Sequence, residues 1–118
     1  MDRGGSRMTE EYRQFLFKRL EADAVSRGAA RRVMLSGFWM FSIRGAHDYI
    51  ARRMRFPDYY GRNLDALYDV LSTIGQPTEV VITGREQIAR RLGGYAEKLL
   101  EAFTGAAQAN PNLRVEIR

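Results

Sequence analysis

The chain has 118 residues, 45% of them apolar, with 19 basic side chains, 14 acidic ones and no cysteine. That length supports one domain around a single core, and the apolar content excludes a disordered chain. Without cysteine there is no disulfide scaffold and no thiolate chemistry; with no apolar leader and no run long enough to cross a bilayer, the sequence reads as a cytoplasmic protein. The net charge of +5 is unevenly spread. Residues 1–56 carry 12 basic and 6 acidic side chains, residues 57–79 carry 1 basic and 4 acidic, and residues 80–118 carry 6 basic and 4 acidic. The one acidic island is therefore 57–79.

Residues 1–8 show no periodic pattern. Thr9 followed by Glu10 and Glu11 reads as a helix start, with acids favoured by the dipole of the first turn. Tyr12, Phe15, Leu16 and Leu20 then share one face, which predicts a helix over 9–26 ending near Arg27-Gly28. Val33-Met34-Leu35-Ser36-Gly37 is a short apolar run of the kind found in a buried strand. Phe38-Trp39-Met40-Phe41 follows, and four large apolar side chains are not expected to stay exposed together. The expected cover is the N-terminal helix or a second subunit. Ser42 caps a helix running to about Arg55, with Ile43, Ala46, Tyr49, Ile50 and Met54 inward and Arg52, Arg53 and Arg55 in water. His47 is the only histidine. With no Cys, Asp or Ser pattern around it, it reads as structural, with a charge that makes stability pH-dependent.

Residues 56–74 are the stretch around which the chain is organised. Pro57 discourages helix before it, and Gly61 offers a residue that accepts φ > 0 at the bend. Asn63 is an N-cap by residue type. Leu64, Leu67, Leu71 and Ile74 form a core stripe at i, i+3, i+7 and i+10. Asp65, Tyr68, Asp69 and Ser72 form a second stripe on another side, acidic with an aromatic in its middle. Gly75-Gln76-Pro77 ends the helix. Thr78–Thr83 is a second strand, Gly84 a turn and Arg85 to about Leu92 a short helix. After Gly93-Gly94, Tyr95 to about Ala109 forms the last helix, with Leu99, Leu100, Phe103 and Ala107 inward. Asn110-Pro111-Asn112 is a turn, and Leu113–Ile117 alternates as a third strand. Strands separated by helices predict a parallel sheet with helices packed on it.

No phosphate-binding Gly-rich loop, H-E-x-x-H or Cys/His metal spacing is present, so neither enzyme activity nor a cofactor or metal is expected. Asp65 and Asp69 are one turn apart, but on a convex helix face with no third partner in sequence. Each residue here has a structural alternative. Asp65 complements the dipole, Asn63 only caps, and of Tyr59 and Tyr60 one is buried and one partly exposed. Asp69, mid-helix, has no such duty.

Pro57-Asp58-Tyr59-Tyr60-Gly61-Arg62-Asn63-Leu64-Asp65-Ala66-Leu67-Tyr68-Asp69 closely resembles the signature of the barstar family, intracellular protein inhibitors of ribonucleases such as barnase. The likeness runs nearly without gaps from about Arg32 to Gly84 and resumes more weakly from Phe103. It implies an α/β fold with a small three-stranded parallel sheet packed with helices over 32–118; residues 1–31 have no counterpart in the family and read, from their own pattern alone, as an N-terminal extension with a disordered start and then an extra helix. It also implies a cognate ribonuclease or toxin as partner. By resemblance the partner-binding set is Tyr59, Gly61, Asn63, Asp65, Tyr68, Asp69 and Ser72. In that set Asp69 stands at the phosphate-mimicking aspartate, Tyr68 replaces a tryptophan and Ser72 a threonine. The chain departs from the family in four places: Arg62 stands where the family has a glutamate, Gly105 near an acidic position of the last helix, Phe38–Phe41 at largely polar positions, and the whole chain is basic. Two other readings stand beside this one. One is a nucleic-acid-associated module using Arg27, Arg31, Arg32, Arg52, Arg53 and Arg55; the other is a homo-oligomer formed through the Phe38–Phe41 patch. No membrane partner is expected.

Overall fold

Three short runs rich in β-branched and apolar residues pair side by side: β1 (Arg31–Ser36), β2 (Thr78–Thr83) and β3 (Leu113–Ile117), in the order β1-β2-β3. The computed structural model describes residues 31–118, so the helix expected over 9–26 lies outside the described residues. Both strand pairs are parallel, and the register aligns Val33 with Val80 and Val115, and Leu35 with Ile82 and Ile117. Side chains alternate along a strand, so these residues share one face of the sheet, while Met34, Val81 and Glu116 share the other. Parallel strands need crossovers, and each crossover here contains two helices. Between β1 and β2 run α1 (Ile43–Met54) and α2 (Leu64–Ser72); between β2 and β3 run α3 (Arg85–Leu92) and α4 (Gly94–Ala109). All four send side chains into one core with Val33, Leu35, Val80 and Ile82: Ala46 and Ile50, Leu67 and Leu71, Ile88 and Leu92, Leu99 and Phe103. The three-stranded parallel α/β architecture read from the sequence is the one observed.

β1 lies at the sheet edge, and α1 blunts that edge. The Arg53 guanidinium donates to the Met34 carbonyl at 3.0 and 3.2 Å, and the Ser36 N–H donates to Tyr49 Oη at 2.9 Å. A 3₁₀ turn, Gly37–Trp39, follows β1. A Cβ on Gly37 would fall 2.5 Å from the Gly84 carbonyl oxygen, so this close approach of two backbones admits only glycine. α1 starts as read, with Ser42 Oγ accepting the Gly45 N–H at 3.0 Å. It ends at Arg55, whose φ of 61° is left-handed.

The cover expected over Phe38–Phe41, the N-terminal helix or a second subunit, lies outside the described residues. Met40 is in the core, but Phe38, Trp39 and Phe41 are exposed. The 3₁₀ turn splits the four side chains between two directions. Ile43, expected inward, is also exposed, because it opens α1 beside this patch rather than over the core.

Candidate functional site

The loop before α2 is held from behind. Tyr60 is buried at 6% exposure while its neighbour Tyr59 is 88% exposed. The Tyr60 hydroxyl lies 2.6 Å from His47 Nδ1, and the Tyr95 hydroxyl lies 2.7 Å from His47 Nε2. His47, fully buried on α1, thus ties the loop to α4. Burial holds its pKa below the ordinary 6.5, against the attraction of the nearby Asp48 carboxylate. Burial also pushes the Tyr60 and Tyr95 hydroxyls up, so both stay protonated; against a neutral imidazole one hydroxyl donates to the bare ring nitrogen and the other accepts from the ring N–H. Phe56 packs on Tyr60 with ring centroids 4.9 Å apart. Tyr59 projects outward from the turn that the Tyr60 N–H closes on the Pro57 carbonyl at 3.0 Å.

The left-handed residue at the bend is Arg62, at φ 56°, and not Gly61. Gly61 serves another purpose: a Cβ there would come 3.2 Å from the Ala66 Cβ, so its lack of a side chain lets the loop close onto the first turn of α2. Arg62 is fixed by its guanidinium, which bonds the Asp48 carboxylate and the Tyr60 carbonyl. That contact, above all, holds the Asp48 carboxyl below its usual range. Arg62 therefore spends its charge on α1 and not on the acidic stripe. By its place in the chain Arg62 would set a cation beside Asp65; the left-handed turn and the bond to Asp48 take it away.

α2 is clamped at both ends. Asn63 Oδ1 accepts the Ala66 N–H at 2.7 Å. At the other end the Asn110 Nδ2 donates to the carbonyls of Leu71 and Ile74, at 3.0 and 3.1 Å, and Asn112 Nδ2 adds a bond to Ile74 at 3.3 Å. Leu67 and Leu71 are buried, and Leu64 and Ile74 pack against the core. Asp65, Tyr68 and Asp69 are exposed on the opposite side. Among the described residues, neither Asp65 nor Asp69 forms an ion pair or a side-chain hydrogen bond. Tyr68 lies over α4, where a Cβ on Gly105 would be 3.6 Å from its ring. Ser72 differs from its neighbours: its Oγ is buried and unpaired, so the hydroxyl faces away from any partner on this surface.

The arrangement is a rigid acidic ridge with two aromatic rings, Tyr59 and Tyr68, beside it. Among the described residues no three His, Cys, Asp or Glu side chains cluster as metal ligands would, and no helix is long and apolar enough to cross a membrane. Of the arginines of the nucleic-acid reading, Arg27 lies outside the described residues, and the described ones are dispersed. Arg31 bonds the Met54 carbonyl, Arg53 the Met34 carbonyl, and Arg32 sits 3.7 Å from Glu79. Only Arg52 and Arg55 meet in one place, a cleft with Arg44 and Arg62 that also contains Asp48 and Asp58.

Sequence reasoning missed the Asn110 clamp and the His47–Tyr60–Tyr95 link. Asn110 read as a turn residue, since a side chain reaching back across 39 positions leaves no local pattern. A second asparagine two residues on was the one hint.

A small α/β protein with an acidic loop–helix ridge is the class this fold and site define. Residues 30–118 match the family model Barstar (barnase inhibitor), and the chain belongs to that family. It is also 37% identical over 79 residues to a Bacillus subtilis (strain 168) protein named "Putative ribonuclease inhibitor YrdF", a match covering 66% of this chain and 87% of that protein.

Proposed function

We propose that the chain inhibits a ribonuclease, or a toxin with a similar anion-binding site, by inserting the ridge of α2 into it. Asp65 and Asp69 take places meant for phosphates, and Tyr59 and Tyr68 cover the rim. Asn63 and Gly61 shape the loop rather than touch chemistry. No cofactor is needed, and the ridge supplies no acid–base machinery of its own. The observation that carries this reading is Asp69. It is exposed, mid-helix and unpaired, on a helix clamped at both ends. A carboxylate kept in water with no internal duty on a rigid element loses little on ordering when it meets a cation. The family match and the relative's name point to the same class of partner.

The test is RNA cleavage by barnase, and by the nuclease encoded nearest this gene, with and without the full chain. At least one is expected to be inhibited at one-to-one stoichiometry. Asp69→Ala removes charge-assisted hydrogen bonds of roughly 1.5–3 kcal/mol, so inhibition should weaken about 10- to 150-fold. Undiminished inhibition by both Asp65→Ala and Asp69→Ala would show that the ridge is not the site.

A further inference from the structure

Arg44, Asp48 and Arg52 of α1 and Arg55 just after it recur at i, i+4, i+8 and i+11, on the face turned away from the buried Ala46, Ile50 and Met54. The chain reverses at Arg55, and Phe56–Arg62 folds back along that face. Between the two lies a cleft of about 380 Å³, a volume within the roughly 300–1,000 Å³ of small-molecule sites. Arg55 and Arg62, at φ 61° and 56°, are the only non-glycine residues of positive φ among the described residues, and both line this cleft. Glycine is the usual residue where a helix ends in a left-handed turn, and a larger side chain strains the backbone there. Such strain persists where the side chain has a duty. The duty of Arg62 is the Asp48 carboxylate, which Arg44 also approaches at 3.8 Å. The guanidinium of Arg55 makes no hydrogen bond or ion pair among the described residues, and neither does that of Arg52. Asp58, exposed at the same cleft, is equally without a partner there. The cleft thus holds two uncommitted cations and one uncommitted acceptor, beside an apolar wall of Phe56 and Pro57.

We infer that this cleft binds a small phosphate monoester that also carries hydroxyl or N–H donors, a molecule of mononucleotide size. Arg52 and Arg55 take the phosphate, because planar guanidinium forks match its oxygens two at a time. Asp58 accepts from the sugar or the base. Asp48 holds Arg62, and with it the loop wall, in place. A bare anion fits less well, since it meets the Asp58 carboxylate and offers it no donor. A long nucleic acid fits less well too. Beyond Arg62 and Asn63 its next phosphates would meet Asp65 and Asp69, which are exposed and unpaired. The occupant is therefore short, with its charge at one end.

The full chain is titrated with 5′-AMP, 5′-GMP, adenosine and sulfate, and followed by amide proton–nitrogen NMR spectra. At least one nucleotide is expected to shift the amides of residues 51–62 saturably while those of α3 and β3 hold still. Adenosine and sulfate, each lacking one half of the ligand, should bind at least about ten-fold more weakly. Arg55→Gly separates a binding role from a structural one. Glycine accepts the left-handed turn without strain, so the melting temperature should hold or rise while nucleotide affinity falls about ten-fold or more. Arg52→Gln, which leaves the turn untouched, should weaken binding likewise. Arg90→Gln, exposed on α3 and outside the cleft, should bind as the parent does. The inference is overturned if neither nucleotide gives a saturable shift up to about 10 mM. It is also overturned if sulfate binds as tightly as the nucleotides, or if Arg52→Gln and Arg55→Gly both keep the parent's affinity. None of these results depends on whether a nuclease is inhibited.

Discussion

Asn110→Asp is the sharpest test of how the ridge is held. Asn110 is 5% exposed, and its side chain makes three hydrogen bonds: two donated from Nδ2 to the carbonyls of Leu71 in α2 and Ile74 just beyond it, and one accepted by Oδ1 from the Asn112 N–H at 3.0 Å. Aspartate keeps the shape but replaces both donors with an acceptor facing two carbonyls. Each lost bond is worth about 1 kcal/mol net, and a buried acceptor left without a good partner adds about 1–3 kcal/mol. Leu71 O would retain the Thr73 N–H and a long 3.4 Å bond from the Ile74 N–H. The expected loss at neutral pH is therefore roughly 3–5 kcal/mol. For a domain of this size that lowers the melting temperature by about 12–40 °C, at some 4–8 °C per kcal/mol. Urea and thermal unfolding, followed by far-UV circular dichroism, measure it. Asn110→Ala should lose somewhat less, since it adds no repulsion. Part of the loss in Asn110→Asp should return at acid pH, when the carboxyl regains a proton to donate. If Asn110→Asp stays within about 0.5 kcal/mol of the parent at neutral pH, a value typical of surface substitutions, the clamp is not what fixes the end of α2.

Ser72→Ala should leave stability unchanged or raise it by up to about 1 kcal/mol, because the buried hydroxyl has no bond to lose, and should leave inhibition intact. A loss of affinity would show that the hydroxyl turns outward on binding. His47 makes stability depend on pH. Its folded pKa lies below 6.5, so both states are neutral above that value, and below it the unfolded chain takes up a proton that the folded chain resists. Stability is expected to fall as pH drops from 6.5 to the folded pKa and then to level off for this group; urea midpoints across that range check it, and His47→Gln should flatten the slope. The rate of encounter with a basic nuclease should change little with salt, since the chain's net +5 opposes the local attraction of the ridge. A steep fall of the on-rate with salt would show that the ridge governs encounter alone.

Most of the architecture was written in short-range patterns. Strand runs, the cap at Ser42, the cap at Asn63 and the breaks at Gly75-Gln76-Pro77 and Gly93-Gly94 are all decided by neighbours within one or two turns. What failed was the placement of side chains whose direction depends on a bend. Ile43 reads as core by spacing, but it opens α1 just after the 3₁₀ turn at Gly37–Trp39 and stays exposed. The turn itself exists because Gly37 passes against Gly84, a contact across 47 positions that no periodicity announces.

The ridge was legible for the opposite reason. A helix of nine residues needs only one apolar stripe to dock, and Leu64, Leu67 and Leu71 supply it. Everything on the other side is then free of folding duty, and an acid such as Asp69 stands out against a basic chain. The sequence could not reveal whether that freedom survives in three dimensions. Arg62 sits three residues before Asp65 and by spacing alone would neutralise it. It does not, because a left-handed φ and a bond to Asp48 pull it to α1. Likewise Tyr60 is pinned inward by a histidine 13 positions earlier, and Tyr59 projects outward from the turn that Tyr60 closes on Pro57. The exposed groups of this surface are thus set by buried ones behind it, and the binding face depends on His47, Tyr60 and Asn110 although none of them belongs to it.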